Sequence, residues 1–287
     1  MVTRDTNMNR SNEVEDIDLE ARLRIYMPAM FRLLKDNNLN GKQWRNLHKR
    51  FLEVHAERIR KYKENENYLL IEANFFDLIS SAINGHKPAI RLVGYFDVLY
   101  KALNKTLNED EKKLIRTTVY NSLINMDHKF RNFIGELAVL LNALEGRRYN
   151  LVGIERDKIG GGKKADFTLL DIASGKEELV EVVNIHLDEE QFLEENITSK
   201  ITKKIKEKTE ERVDFKEFTL VPVIWAPVSV LKVLADLYKS GNGPKFHNVH
   251  QPVAYCVFEA PDGQPVYRFA NIATLFPEGR ILVQWLD

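Results

Sequence analysis

The chain of 287 residues balances 42 Lys and Arg against 42 Asp and Glu, so no overall field draws it to nucleic acid or an anionic membrane, and any such attraction must come from local patches. A hydrophobic share of 44% is ordinary for a protein with a real core, in one large unit or two smaller ones. The single Cys256 excludes an internal disulfide, no apolar run approaches the ~20 residues of a membrane span, and the polar, acidic start lacks the apolar stretch of a signal peptide, so a cytoplasmic protein with no membrane partner is expected.

Residues 1–15, rich in Asn, Asp, Glu and Arg, read as a flexible N-terminus, and residues 16–125 as a helical domain. Leu19, Leu23, Tyr26, Met27, Met30, Leu33 and Leu34 recur at helical spacing, as do Trp44, Leu47, Phe51 and Val54 after the N-L-N-G break at 38–41. Further helices are predicted near 66–83, 89–104 and 109–124, the last opening at Asn108 with acids in its first turn. The strongest basic patch is 42–63, where Arg45, Lys49, Arg50, Arg58, Arg60, Lys61 and Lys63 face only Glu53 and Glu57. Arg45, Lys49 and Arg50 are candidates for phosphate contacts with a nucleic acid, although a solvated or protein-facing helix has the same composition.

The grammar changes over 126–287, which reads as an α/β domain. A helix at about 127–145 carries Phe130, Phe133, Ile134, Leu137, Leu141 and Leu144 and stops at Gly146. Strands are predicted at 149–155, 165–171 and 178–186, separated by I-G-G-G-K-K and A-S-G-K turns. A charged helix at 189–213 follows, with Ile197, Ile201 and Ile205 in its apolar stripe, then a strand at 218–226, a helix at 228–239, and strands at 253–259, 266–269 and 280–286. I-G-G-G-K-K does not fit an ATP-binding loop, yet Lys163 and Lys164 could touch a phosphate backbone. H-N-V-H at 247–250 has no second ligand pair nearby and reads as ordinary loop histidines rather than a zinc site.

Within E-L-V-E-V-V-N-I-H at 178–186, Glu181 sits in a run that otherwise reads as a buried strand. A carboxylate there is costly unless it is paired or binds something. If A-S-G-K is a four-residue hairpin loop, Ile172 pairs with Glu177 and Asp166 lies opposite Val183, which sets Glu181 on the face of Asp166, one diagonal step away. Glu136, between Phe133 and Leu140 on the preceding helix, is a third acid that could join them at one rim. Oxygen ligands of this kind suit Mg²⁺ or Mn²⁺. The alternative is a strand residue that reaches solvent or pairs with a lysine of the 189–213 helix. Asn184 and His186 alternate with Glu181 and should face the other way.

Taken in order, a helix with Glu136, a strand with Asp166, a hairpin, a strand with V-E-V at 180–182 and a Lys-rich helix, the segment 126–260 resembles the PD-(D/E)xK nuclease superfamily. The resemblance implies a restriction-endonuclease-like core, a mixed sheet of α/β (α+β) character, and Mg²⁺- or Mn²⁺-dependent hydrolysis of a phosphodiester in DNA or RNA. It matches Glu136 to the first-helix acid, Asp166 to the motif Asp and Glu181 to the acid of the E-x-K triplet. Val183 stands where that family has its Lys, and Ala165 where it has Pro. In the superfamily this Lys positions and activates the attacking water, and in some members it comes from the following helix. Lys200, Lys203 and Lys204 are the candidates here, with Lys163 and Lys164 as the other possibility. A second expectation is a catalytically inactive relative that serves as a nucleic-acid- or protein-binding module in a larger assembly. Homo-oligomerisation is left open by the sequence.

Overall fold

A computed structural model describes residues 18–34, 39–64, 74–127, 129–156, 165–187, 194–210, 218–245, 249, 253–259 and 265–272. The chain divides into two units, Met1–Lys101 with Arg116–Arg131, and Ala102–Ile115 with Asn132–Asp287. The helix over 109–124 is therefore shared between the units.

In the first unit the described elements are helices: α1 (Leu19–Tyr26), α2 (Pro28–Leu34), α3 (Gly41–Glu64), α4 (Phe75–Ile83), and parts of α5 (Lys87–Thr106) and α6 (Glu109–Ile124). The single periodic run at 19–34 is two helices, because Pro28 has no N–H to continue the ladder and instead occupies the first position of α2. Of the helix predicted at 66–83, the described part begins at Phe75, where the Asn74 side chain accepts from Asp77 N. Phe51, Phe75, Phe76, Phe96, Tyr100 and Phe130 are fully buried, and the Phe75 ring lies 5.8 Å from Phe96 and 5.1 Å from Phe130.

α3 turns Trp44, Leu47 and Phe51 inward and leaves Arg45, Lys49 and Arg50 exposed. Its basic patch is answered by more acids than Glu53 and Glu57. Arg58 pairs with the buried Asp77 of α4, and Arg60 bonds both Glu57 and Glu64. Lys49 lies 3.8 Å from Glu53, and Lys61 3.6 Å from Glu57.

The second unit carries α7 (Phe130–Glu145, from Asn132 onward), β1 (Tyr149–Arg156), β2 (Ala165–Asp171), β3 (Glu177–His186), α8 (Glu194–Glu210), β4 (Phe218–Trp225), α9 (Val228–Lys239), β5 (Val253–Glu259) and β6 (Pro265–Asn271). It is a mixed α/β arrangement: one sheet in the order β1-β2-β3-β4-β5-β6, parallel at β3·β4 and β4·β5 and antiparallel elsewhere. Two right-handed crossovers that step the same way along a sheet put their helices on one face. Accordingly Ile197, Ile201 and Ile205 of α8 and Val230, Leu231 and Leu234 of α9 share one core with Val183 and Ile185 of β3 and Leu220 and Ile224 of β4.

α7 covers the other face. A Cβ on Gly135 would stand 2.5 Å from Asn184 Oδ1 and 3.3 Å from Val223, so only glycine lets the helix come this close. The start of α6 closes in a reciprocal cap, in which Asn108 Oδ1 accepts from Glu111 N while Glu111 Oε2 accepts from Asn108 N. The other oxygen, Glu111 Oε1, accepts from Leu151 N of β1 at 2.9 Å.

Lys163, Lys164 and the glycines before them, the strand predicted at 280–286, and H-N-V-H apart from Val249 lie outside the described residues. Among the described residues, no helix is long and apolar enough to cross a membrane.

Candidate functional site

The hairpin between β2 and β3 closes differently from the A-S-G-K loop expected. Asp171 Oδ1 accepts from Ala173 N and Ser174 N, Gly175 takes a positive φ of 68°, and Asp171 N donates to Lys176 O. This Asx turn makes Leu170, not Ile172, the partner of Glu177. The register is thus two residues from the one expected. A shift of two preserves the face of every side chain, so Asp166 and Glu181 still share one, and extending the Phe167↔Val180 pairing by one step sets them directly opposite rather than diagonal.

At Asp166 the sheet forks. β2 stays paired with β1 as far as Ala165, whereas its ladder with β3 ends at Phe167↔Val180. In the fork the Asp166 side chain takes over the ladder's role, with Oδ2 accepting from Val182 N at 2.6 Å. Such a bond to a carboxylate is stronger than a neutral one and fixes where the second strand's backbone sits.

Glu181, 4% exposed, lies on the α8 face of β3 with Val183 and Ile185. Lys208 Nζ donates to Glu181 Oε1 at 3.2 Å. The lysine candidates chosen from the sequence lie elsewhere on the helix: Lys204 is exposed and pairs with Glu207 at 2.8 Å, and Lys203 lines an open concavity with Ser199, Thr202, Lys206 and Glu207. Lys200, half-buried, stands two turns before Lys208.

Lys208 carries the same sequence signal as the lysines expected. It follows Ile205 by three positions, as Lys200 follows Ile197 and Lys204 follows Ile201. The helix runs back along β3 at about 1.5 Å per residue against about 3.3 Å for a strand, so retracing the five residues from His186 to Glu181 takes roughly eleven helical ones. Counted from the predicted helix start at 189, eleven residues reach Lys200, whereas counted from Glu194 they reach Ile205 and the turn that holds Lys208.

A fourth acid was missed altogether. Glu155 of β1 falls between Ile154, partner of Phe167, and Arg156, partner of Ala165, which sets it opposite Asp166. Three neighbouring strands therefore carry a row Glu155, Asp166, Glu181. A bulge between Leu151 and Gly153 sets this register, and Glu155 adopts a positive φ of 45°. Neither the bulge nor the strained residue has a signal in alternation.

Glu136 approaches from α7, on the face opposite the one that α8 covers. Burial, then the negative charges of Asp166, Glu155 and Glu181, push its carboxyl well above the usual carboxylate range, and the Lys208 ammonium opposes them. Glu136 thus shares their field. Among the described residues, however, no three His, Cys, Asp or Glu side chains stand close enough together to hold a metal ion in this arrangement.

Asn184 and His186 face α7, as alternation predicts. His186 Nε2 meets Asn132 Oδ1 at 3.1 Å and its ring stacks on Trp225, while Asn184 Oδ1 accepts from Trp225 Nε1 at 2.8 Å. These contacts lock β3 to β4 and α7. The chain has no significant match among protein-family models, curated proteins or solved structures.

Proposed function

We propose that this chain is a divalent-metal-dependent phosphodiesterase acting on DNA or RNA, with a divergent PD-(D/E)xK nuclease core in its second unit. The observation that carries the reading is the pair of acids facing each other across the β2–β3 fork, Asp166 and Glu181, with a lysine ammonium from the following helix at the second of them. The order α7-β1-β2-β3-α8-β4 fits the succession of elements on which the resemblance rests.

Asp166 and Glu181 offer hard oxygen donors from adjacent strands, which suits Mg²⁺ or Mn²⁺ completed by water and phosphate oxygens. Bound there, such an ion would lower the pKa of a coordinated water and stabilise charge on the phosphate. The chain's own part is positional. The Val182 N–H holds the Asp166 carboxylate, and Lys208 brings the positive charge that Val183 cannot. The raised Glu136 carboxyl favours keeping its proton, which relieves the like-charge crowding of the row.

The same lysine supports a second reading, the catalytically inactive binding module. Lys208 neutralises Glu181 without any metal, which is also how a retired site would be stabilised. Labelled single- and double-stranded DNA and RNA incubated with Mn²⁺ separate the two. Cleavage lost in Asp166→Ala, Glu181→Ala and Lys208→Ala supports the enzyme. Absent cleavage, or cleavage indifferent to all three changes, removes it.

A further inference from the structure

Among the described residues, exposed large aliphatic side chains are few, and two of them lie on one stripe of α5. Ile90 is 39% and Val98 38% exposed, four residues either side of Gly94. Gly94 is itself exposed, and nothing stands within 4 Å of the point a Cβ would occupy. Glycine in a helix interior is destabilising relative to Ala. Among the described residues, no turn, bend or packed neighbour requires it here. What an uncovered glycine between two aliphatic residues does provide is a shallow notch, in which another helix can approach the backbone closely.

The ends of the same stripe are basic. At 100° per residue, Lys87 and Lys101 fall within about 20° of Gly94 around the helix axis. Both are exposed. The only acid in α5, Asp97, accepts from Ala29 N at 2.8 Å and is turned to the core side. The face is therefore an apolar notch with cations at both ends, and that charge pattern selects its occupant. A second copy would set lysine against lysine at each end in either orientation. A nucleic acid would leave Ile90 and Val98 against phosphates.

We propose that the outer face of α5, centred on Gly94, docks an amphipathic helix of a protein partner whose apolar stripe is flanked by Asp and Glu at both ends. The notch sets how closely the helices approach, and the cations set partner choice and association rate. This surface is independent of the phosphodiesterase reading and stands or falls without it.

The test uses the full chain and two fluorescein-labelled synthetic helical peptides with the same leucine and alanine stripe, one with glutamates at both ends and one with lysines. Anisotropy should show the acidic peptide bound at least roughly tenfold tighter than the basic one, and Gly94→Leu should weaken it by a similar factor. Lys87→Glu with Lys101→Glu should reverse the preference. Ile90→Ser and Val98→Ser give the same readout if Gly94→Leu fails to keep its circular-dichroism spectrum. Equal or undetectable binding of the two peptides overturns the proposal, as does acidic-peptide binding that survives these substitutions. A concentration-dependent dimer blocked by Gly94→Leu, or an oligonucleotide that displaces the peptide, would assign the face to a different occupant and also overturn it.

Discussion

Lys208, near the end of α8, reaches Glu181 in the middle of β3, its Nζ 3.2 Å from a carboxylate whose side chain is 5% exposed while its own is 42% exposed. The contact is asymmetric. The acid is taken out of water by the sheet and the helix, whereas the ammonium remains half in solvent, so the pair is worth less than a fully buried one.

Replacing Lys208 by Met should lower stability by roughly 1–2 kcal/mol, because the buried carboxylate loses its neutralising partner. Adding Glu181→Gln should return much of that loss while leaving any Mn²⁺-dependent cleavage abolished. Urea denaturation of the two single variants and the double variant checks it. A double variant no more stable than Lys208→Met would show that the two residues are not coupled.

Glu136 gives a pH signature whose sign follows from the direction of its shift. Its folded-state pKa lies above the ordinary glutamate value of 4.5, so its contribution is fully present below that value and is lost as pH rises through the folded value. Glu136→Gln removes the charging step. The variant should be more stable than the parent at neutral and alkaline pH, with the difference vanishing towards pH 4. Chemical denaturation across pH 4–9 without divalent metal measures it, and a difference that does not change with pH would contradict the assignment.

Gly135→Ala should destabilise the second unit by roughly 1–3 kcal/mol. The new Cβ would meet Asn184 Oδ1 at 2.5 Å, and that side chain is held by Trp225 Nε1 and by its own bond to Asn132 O, so it has little freedom to move. Truncating Asn184 to Ala as well should relieve the clash without restoring the network. Trp225 fluorescence during thermal unfolding reports on both.

In the first unit, Asp77→Ala should cost about 3–5 kcal/mol, the usual penalty for stranding a buried charge. Asp77 bonds Arg58 and His55 and is 6% exposed, and Arg58 is scarcely more accessible. Asp77→Ala with Arg58→Met should be markedly more stable than Asp77→Ala alone. Guanidinium denaturation decides, and equal midpoints for the two would refute the pairing.

Sequence alone determined a good deal here. Hydrophobic periodicity located most of the described helices and strands, since burying one face of an element imposes its period on the chain. Alternation also determined that Asp166 and Glu181 share a face and that Asn184 and His186 take the other, because any error of two in register leaves faces unchanged. What only the tertiary structure decided was everything set by where elements meet. The Asx turn of Asp171 moved the register until the two acids stood opposite, and the bulge before Gly153 brought Glu155 into line. The closing distance along α8 selected Lys208 over Lys200, Lys203 and Lys204. Local patterns encode which way a side chain points, but the partner it finds depends on turns, bulges and helix travel, whose geometry sums over many residues and leaves no repeating mark in the chain.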